Sequence, residues 1–71
     1  MTYAIGHSGS DYFHRTGIKT KRGAKAIATR DIVPSENGKI AVFAETKRAG
    51  GVVRDAVSFK YGYDRDWTDI N

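Results

Sequence analysis

Cysteine is absent from this 71-residue chain, and proline, methionine and tryptophan each occur once. The absence of cysteine excludes a disulfide, a thiolate zinc site and a cysteine nucleophile. The sequence also lacks an apolar run long enough for a signal peptide or a membrane-spanning helix. A cysteine-free chain of this kind is compatible with the cytosol. We therefore expect a cytoplasmic protein that makes no contact with a membrane.

The composition that remains is typical of a folded domain, with 39% hydrophobic and 28% charged residues. A chain of this length makes one domain, so we expect residues 1–71 to form a single small α+β domain. Twelve basic and eight acidic side chains give a formal net charge of +4. A positive balance favours contact with nucleic acid or with an acidic protein surface.

The clearest helical pattern covers residues 20–30. Thr20 is suited to cap the helix, because its hydroxyl can accept a hydrogen bond from an amide of the first turn. Ala24, Ile27 and Ala28 recur at helical spacing and form a narrow apolar stripe. Two of these three residues are alanines, which allow a helix to lie close against a sheet. The pattern predicts one helix that packs on a sheet through its alanine face.

Alternating apolar and aromatic residues predict strands on both sides of this helix. Pro34 cannot continue the helix, and Asn37 and Gly38 are suited to the turn that follows it. The predicted strands cover residues 3–7, 12–19, 39–46 and 53–61, with a short last strand within residues 67–70. The order β-β-α-β-β-(β) predicts an α+β fold, a four- to five-stranded antiparallel sheet with one α-helix packed on one face.

Strict alternation in the fourth strand places Val57, Phe59 and Tyr61 on one face, with Ser58 and Lys60 on the other. The apolar face of each element then gives the expected core. We expect these side chains to be largely buried: Ile27, Ala28, Ile40, Val42, Val57, Phe59 and Trp67.

Catalytic and metal-binding patterns are weak. His7 and His14 are predicted to lie in neighbouring strands with Asp11 between them, but a fourth ligand and a supporting second layer are lacking. Asp64, Asp66 and Asp69 lack the spacing and the closing glutamate of a calcium loop, so they are interpreted as a solvated acidic turn. The serines lie in no nucleophile motif, and no phosphate-binding glycine loop is present. We expect no catalytic residue, no metal, no cofactor and no enzymatic activity.

Positive charge is concentrated at the start of the predicted helix, in Lys21, Arg22 and Lys25. A helix N-terminus already carries partial positive charge, so cations there are mildly unfavourable unless an anion approaches. These residues are either a solvated face or a site for a phosphate or an acidic partner. Lys47 and Arg48, in the loop before two glycines, are a second basic group. We predict partner binding by Lys21, Arg22 and Lys25, with Lys47 and Arg48 as a secondary arm.

Basic and aromatic residues also alternate within residues 13–15 and 60–67, as in proteins that stack unpaired bases on a sheet. A small domain must, however, bury its aromatic side chains to have a core. In addition, Asp64 and Asp66 place negative charge where a phosphate would have to pass. Both interpretations of these segments, base stacking and core packing, remain open from the sequence.

A helix followed by two strands and a late tryptophan is found here as GAKAIATR (23–30), IAVF (40–43), VSFK (57–60) and DW (66–67). This order resembles small β-β-α-β-β accessory proteins of phages and mobile elements, including some anti-CRISPR inhibitors. The resemblance covers roughly residues 20–70. It implies a non-enzymatic protein that binds a host nucleic-acid-handling complex. The positive net charge departs from the acidic inhibitors that mimic DNA, so DNA mimicry is not implied.

Two functions follow as expectations. The first is an inhibitor or modulator of a host protein or ribonucleoprotein complex, encoded by a phage or mobile element. The second is a small basic domain that binds DNA or RNA directly through phosphate contacts. Such a domain is expected to be a monomer or a weak dimer.

Overall fold

The computed structural model describes residues 1–9, 12–32, 39–61 and 64–70. The elements in chain order are β1 (Thr2–His7), β2 (Phe13–Ile18), α1 (Lys21–Asp31), β3 (Lys39–Arg48), β4 (Gly51–Tyr61) and β5 (Thr68–Asp69). All pairings are antiparallel, and one five-stranded sheet has the order β2-β1-β3-β4-β5. The predicted α+β fold is therefore confirmed. The turn predicted at Asn37 and Gly38 lies outside the described residues.

Helix α1 begins at the predicted cap, whereas the predicted end signal at Pro34 lies outside the described residues. The Thr20 hydroxyl accepts a hydrogen bond from the Gly23 N–H at 3.0 Å, which satisfies an amide of the first turn. Ala24 and Ala28 are fully buried and bring the helix close to the sheet. The helix packs mainly on β1 and β3, so it covers one face of the sheet.

The core lies between α1 and this covered face. Ile5, Ile40 and Val42 are the largest apolar side chains that are fully buried. The core cluster consists of Ile5, Ile18, Ala24, Ala28, Ile32, Ile40 and Val42. Burial is thus confirmed for Ala28, Ile40 and Val42. Ile5, Ile18 and Ile32 also belong to this core but were not predicted there from the sequence.

The remaining members of the predicted core differ in their positions. Ile27, Val57 and Trp67 are only partly buried, and they pack against the edge of the cluster. Phe59 is also partly buried. It pairs with Ala41, which is the neighbour of the core residue Val42 in β3. Neighbouring residues of a strand point to opposite faces, so Phe59 lies on the face away from the helix. Its assignment to the core was wrong.

A β-bulge in β4 explains this error. Val42 pairs with Ser58, whereas the next residue, Phe43, pairs with Ala56, so Val57 is an extra residue in β4. Val57 packs against the core, and the buried Ser58 contacts Asp69 beside the helix. The extra residue shifts the alternation by one position. Even-numbered residues of β4 before the bulge and odd-numbered residues after it therefore point away from the helix. Strict alternation along the sequence cannot predict this change.

Candidate functional site

The sheet face opposite α1, called the open face below, carries four aromatic side chains. Phe13 pairs across the sheet with Gly6, Gly6 with Ala41, and Ala41 with Phe59, which places the two phenylalanines in one row. Alternation along β3 and β4 adds Phe43 and Tyr61 to the same face. The helix covers none of these rings, because it lies on the other side of the sheet.

The four rings form two edge-to-face pairs. The ring centroids of Phe13 and Phe43 are 5.1 Å apart with planes at 89°, and those of Phe59 and Tyr61 are 6.1 Å apart at 84°. Such pairs stabilise one another beyond their buried area. Small residues lie beneath them in the sheet: Ala4, Gly6 and Ala41, all of them buried. The rings thus form a thin aromatic layer over a floor of small residues.

Cations lie over this aromatic layer. The Lys39 ammonium is 4.2 Å from the centroid of Phe59, and the Arg54 guanidinium carbon is 4.7 Å from that of Phe13. Both arrangements are cation–π contacts. In the described part of the chain, Lys39 has no carboxylate within ion-pair distance. Tyr61 is 52% exposed. The open face therefore combines an accessible ring with a cation that has no acidic partner among the described residues.

Glu45 fixes the position of Arg54 and links four strands. Its carboxylate accepts hydrogen bonds from the Thr2 hydroxyl at 3.0 Å, the Gly17 N–H at 2.8 Å and the Arg54 Nε at 2.9 Å. Burial raises the pKa of Glu45, but the hydrogen bonds from Gly17, Thr2 and Arg54 outweigh burial, so its pKa lies below the usual value. The side chain is only 7% exposed. Arg54 is thereby held over Phe13 by a charged carboxylate.

The basic group predicted at the helix start is largely paired. Asp69 of β5 accepts the Lys21 and Lys25 ammonium groups at 3.2 and 3.0 Å, and the Ser58 hydroxyl at 2.8 Å. These hydrogen bonds hold the pKa of the Asp69 carboxyl well below its usual range, and the one from Ser58 has the largest effect. Arg22 is exposed and has no ion pair among the described residues. Lys21 and Lys25 therefore join α1 to the sheet edge.

The secondary basic arm lies elsewhere. Lys47 and Arg48 are exposed at the end of β3, next to the turn before Gly51. Lys47 shares the alternation phase of Phe43 and Glu45, so it belongs to the open face, whereas Lys21 belongs to the helix layer. Lys47 also helps to line an open depression of about 450 Å³ beside Glu45. Lys47 thus lies on the opposite side of the sheet from Lys21, whereas Arg48, the next residue of β3, points to the helix side by the same alternation. Their part in partner binding stays a prediction.

The two segments with alternating basic and aromatic residues are divided between the two faces. Phe13 and Tyr61 lie on the open face, as base stacking requires. Lys60 is buried on the helix side, where its ammonium lies 5.4 Å from the ring centroid of Trp67. Lys39 and Phe43 were not singled out from the sequence as site residues. Their alternation in β3 was a usable signal, because it placed them opposite Ile40 and Val42.

Acidic groups do not form a metal site within the described ranges, where no cluster of three or more His, Cys, Asp or Glu side chains could hold an ion. The candidate at His7, Asp11 and His14 depends on Asp11, which lies outside those ranges. The solvated acidic turn needs one correction. Asp69 is paired with two lysines and does not fit that interpretation, whereas Asp64 and Asp66 are exposed and do, with Asp64 accepting a hydrogen bond from the Tyr61 N–H at 3.1 Å.

Comparison with known proteins gives no further guide to the function. Scans against protein-family models, curated proteins and solved structures each returned no match. Within the described ranges, no helix has the length and apolar character needed to cross a membrane. The geometry of the open face is therefore the main basis for a functional proposal.

Proposed function

We propose that this chain is a non-enzymatic domain that binds single-stranded nucleic acid on its open face. The observation that carries the proposal is the layer of four rings with Lys39 and Arg54 over it. Unpaired bases stack on such rings whatever their sequence, and the neighbouring cations contact the phosphates. This choice develops the second function expected from the sequence, direct binding of DNA or RNA.

The spacing of the rings favours single strands over duplexes. Phe13 and Phe59 are separated by three strand-to-strand steps in one row, which correspond to about 14 Å. This span suits about two or three splayed bases, whereas the bases of a duplex are already stacked on one another. Tyr61, the most exposed ring of the layer, is the expected first contact.

The cations are suited to phosphate binding for different reasons. Lys39 has no acidic partner among the described residues, so its ammonium can leave the Phe59 ring and pair with a phosphate while a base takes its place. Arg54 is held by Glu45 and stays near Phe13. Because Glu45 offsets part of the charge, we expect few phosphate contacts and modest affinity. The salt dependence should be correspondingly shallow, with a slope of about −0.7 for each phosphate contact.

The inhibitor role implied by the resemblance to anti-CRISPR proteins stays a prediction beside this proposal. A cytoplasmic location belongs to the same proposal. The two functions make different demands on a host partner. A nucleic-acid-binding domain loses its host partners after nuclease treatment, whereas an inhibitor of a protein complex keeps them. A pull-down with and without nuclease separates the two.

The direct test measures fluorescence anisotropy of labelled oligonucleotides of about 12 nucleotides, as single-stranded DNA, single-stranded RNA and duplex. Tyr61→Ala and Phe59→Leu remove stacking surfaces while the small floor residues stay in place. Each should weaken single-strand binding by about fivefold or more, since a stacked base contributes about 1–3 kcal/mol. The control is Val53→Ala, which truncates an exposed apolar side chain of β4 outside the aromatic layer.

A second pair of variants tests the charge. Lys39→Gln and Lys19→Gln each remove one positive charge, but only Lys39 lies over the aromatic layer. Lys39→Gln should weaken binding and reduce its salt slope by about 0.7, and Lys19→Gln should change neither by a comparable amount. Equal effects of the two variants, or equal binding of duplex and single strand, would contradict the proposal.

A further inference from the structure

The outer edge of β4 is only partly covered. Strand β5 pairs with Ser58 and Phe59 alone, and the Ile70 N–H extends this contact to the Val57 carbonyl at 2.9 Å. Among the described residues, no strand pairs with residues 51–56 on the side away from β3. Backbone N–H and C=O groups along such an edge can pair with another strand.

The side chains of this segment favour pairing. Val52 and Val53 are 45% and 43% exposed, on opposite faces of the strand. Natural edge strands are commonly protected by lysine or proline, and residues 51–56 contain neither. The one basic residue of the segment, Arg54, is turned toward Glu45 and the Phe13 ring. Its charge therefore does not guard the edge.

We propose that a second copy of this chain docks on this edge, with residues 51–55 of the two β4 strands paired antiparallel about a two-fold axis at Val53. An axis perpendicular to the sheet keeps each face continuous across the dimer. Residues that lie opposite each other across the interface therefore point to the same face of the sheet. The two Val53 side chains then pack against each other. Val52 of one protomer lies opposite Arg54 of its partner, so this pair brings no like charges together.

Charge selects this register over its neighbours. An axis at Arg54 places two arginines directly opposite each other, and an axis at Asp55 does the same with two carboxylates. Like charges in directly opposed positions destabilise a strand pair. An axis at Val53 brings Asp55 opposite Gly51, which carries no charge. The register at Val53 therefore pairs the longest stretch of the segment without a repulsive contact.

The proposed interface is small, so the dimer should form reversibly at high protein concentration. It does not depend on nucleic-acid binding, because Val53 on the axis points to the helix side of the sheet, although Arg54 of the paired segment also lies over the ring layer. The two open faces would nevertheless lie on the same side of a continuous sheet.

Disulfide trapping tests the register, because the chain has no cysteine of its own. Single substitutions Val53→Cys, Asp55→Cys and Thr16→Cys, the last on the opposite edge strand, are oxidised mildly and followed by non-reducing electrophoresis. Val53→Cys should cross-link about tenfold faster than the others, since only its side chains meet on the axis within disulfide distance. Equal rates at the three positions, or faster linking at Asp55, would overturn the proposal.

Sedimentation of the unmodified chain gives an independent readout. The average mass should rise over about a hundredfold range of concentration. Val53→Lys places two like charges on the axis and should abolish this rise, whereas Thr16→Lys adds the same charge to the other edge and should leave it unchanged. Circular dichroism checks that both variants fold. A chain that stays monomeric throughout, or loses association equally in both variants, contradicts the proposal.

Discussion

The two faces of the sheet use positive charge in different ways. On the helix side, Lys21 and Lys25 are bound by one carboxylate, that of Asp69, and the buried Lys60 lies near the Trp67 ring beside an aliphatic core. On the open side, Lys39 lies over an aromatic ring and has no carboxylate partner among the described residues. In the most basic stretch of the sequence, two of the three cations are thus held by a carboxylate. Charge density along a chain therefore does not show where charge is available to a ligand.

The largest difference between the faces should be seen in stability. Ile5→Ala removes a fully buried side chain from the helix side and should lower the free energy of unfolding by about 3–4 kcal/mol. Tyr61→Ala truncates a half-exposed ring on the open face and should cost about 1 kcal/mol or less. Urea unfolding followed by circular dichroism measures both values. Similar losses in the two variants would mean that the open face is a second core.

Glu45 should give the next largest effect, because its hydrogen bonds join four strands on the open face. Glu45→Ala leaves Arg54 without its partner and removes the acceptor for Thr2 and Gly17, at a cost of about 2–3 kcal/mol. Glu45→Gln keeps one oxygen acceptor and should cost less. Thermal unfolding of both variants provides the measurement, and an alanine variant as stable as the glutamine variant would show that the hydrogen bonds contribute little.

Binding should distinguish the two groups of cations. Arg22→Gln removes an exposed charge at the helix start without breaking an ion pair, and Lys39→Gln removes one from the open face. If the open face binds the ligand, Lys39→Gln should weaken single-strand binding by about fivefold, roughly 1 kcal/mol, and Arg22→Gln by much less. Anisotropy titrations at one salt concentration measure both. The reverse order would favour the helix-start site predicted from the sequence.

Acid should destabilise the fold by protonating the carboxylates of Glu45 and Asp69. The pKa values of Glu45 and Asp69 are lower in the folded chain than their ordinary values of 4.5 and 3.8. Their contributions to the free energy of unfolding are therefore fully present above these ordinary pKa values. The contributions are lost as the pH falls from the ordinary pKa toward the lower pKa of the folded chain. The melting temperature should fall with pH in this range, and less steeply in Glu45→Gln. An identical pH profile for the variant would show that Glu45 is not part of this linkage.

Local sequence signals were sufficient for the helix and for the order of helix and strands along the chain. The Thr20 cap, the alanine stripe and the alternation in β3 each depend on neighbours in the chain, so they could be predicted without knowledge of the fold. The faces of β4 could not. The extra residue Val57 becomes visible only when β4 is aligned with β3, and it moves Phe59 out of the core.

The ion pairs at the helix start were missed for a similar reason. Asp69 is 44 residues from Lys25, and nothing near either residue indicates their contact. From the sequence, the three helix-start cations were predicted to be available to a partner and Asp69 to lie in a solvated turn. Only the pairing of β5 with β4 brings this carboxylate beside α1. Contacts between distant segments therefore decided which predicted site residues are accessible.

The position of β3 also has a consequence for the order of folding. Strands β3 and β4 are joined by a short turn that leads into Gly51, whose φ of 132° suits glycine. Hairpins of this kind close in about 1–10 μs. Pairing of β1 with β3 must bring Thr2 to Glu45 over a much longer loop, so it should follow. Because Ile5 would then make its contacts late in folding, changes at Ile5 should act mainly on the unfolding rate constant. For this small chain, the central hairpin would be the template on which the first strand and the helix assemble.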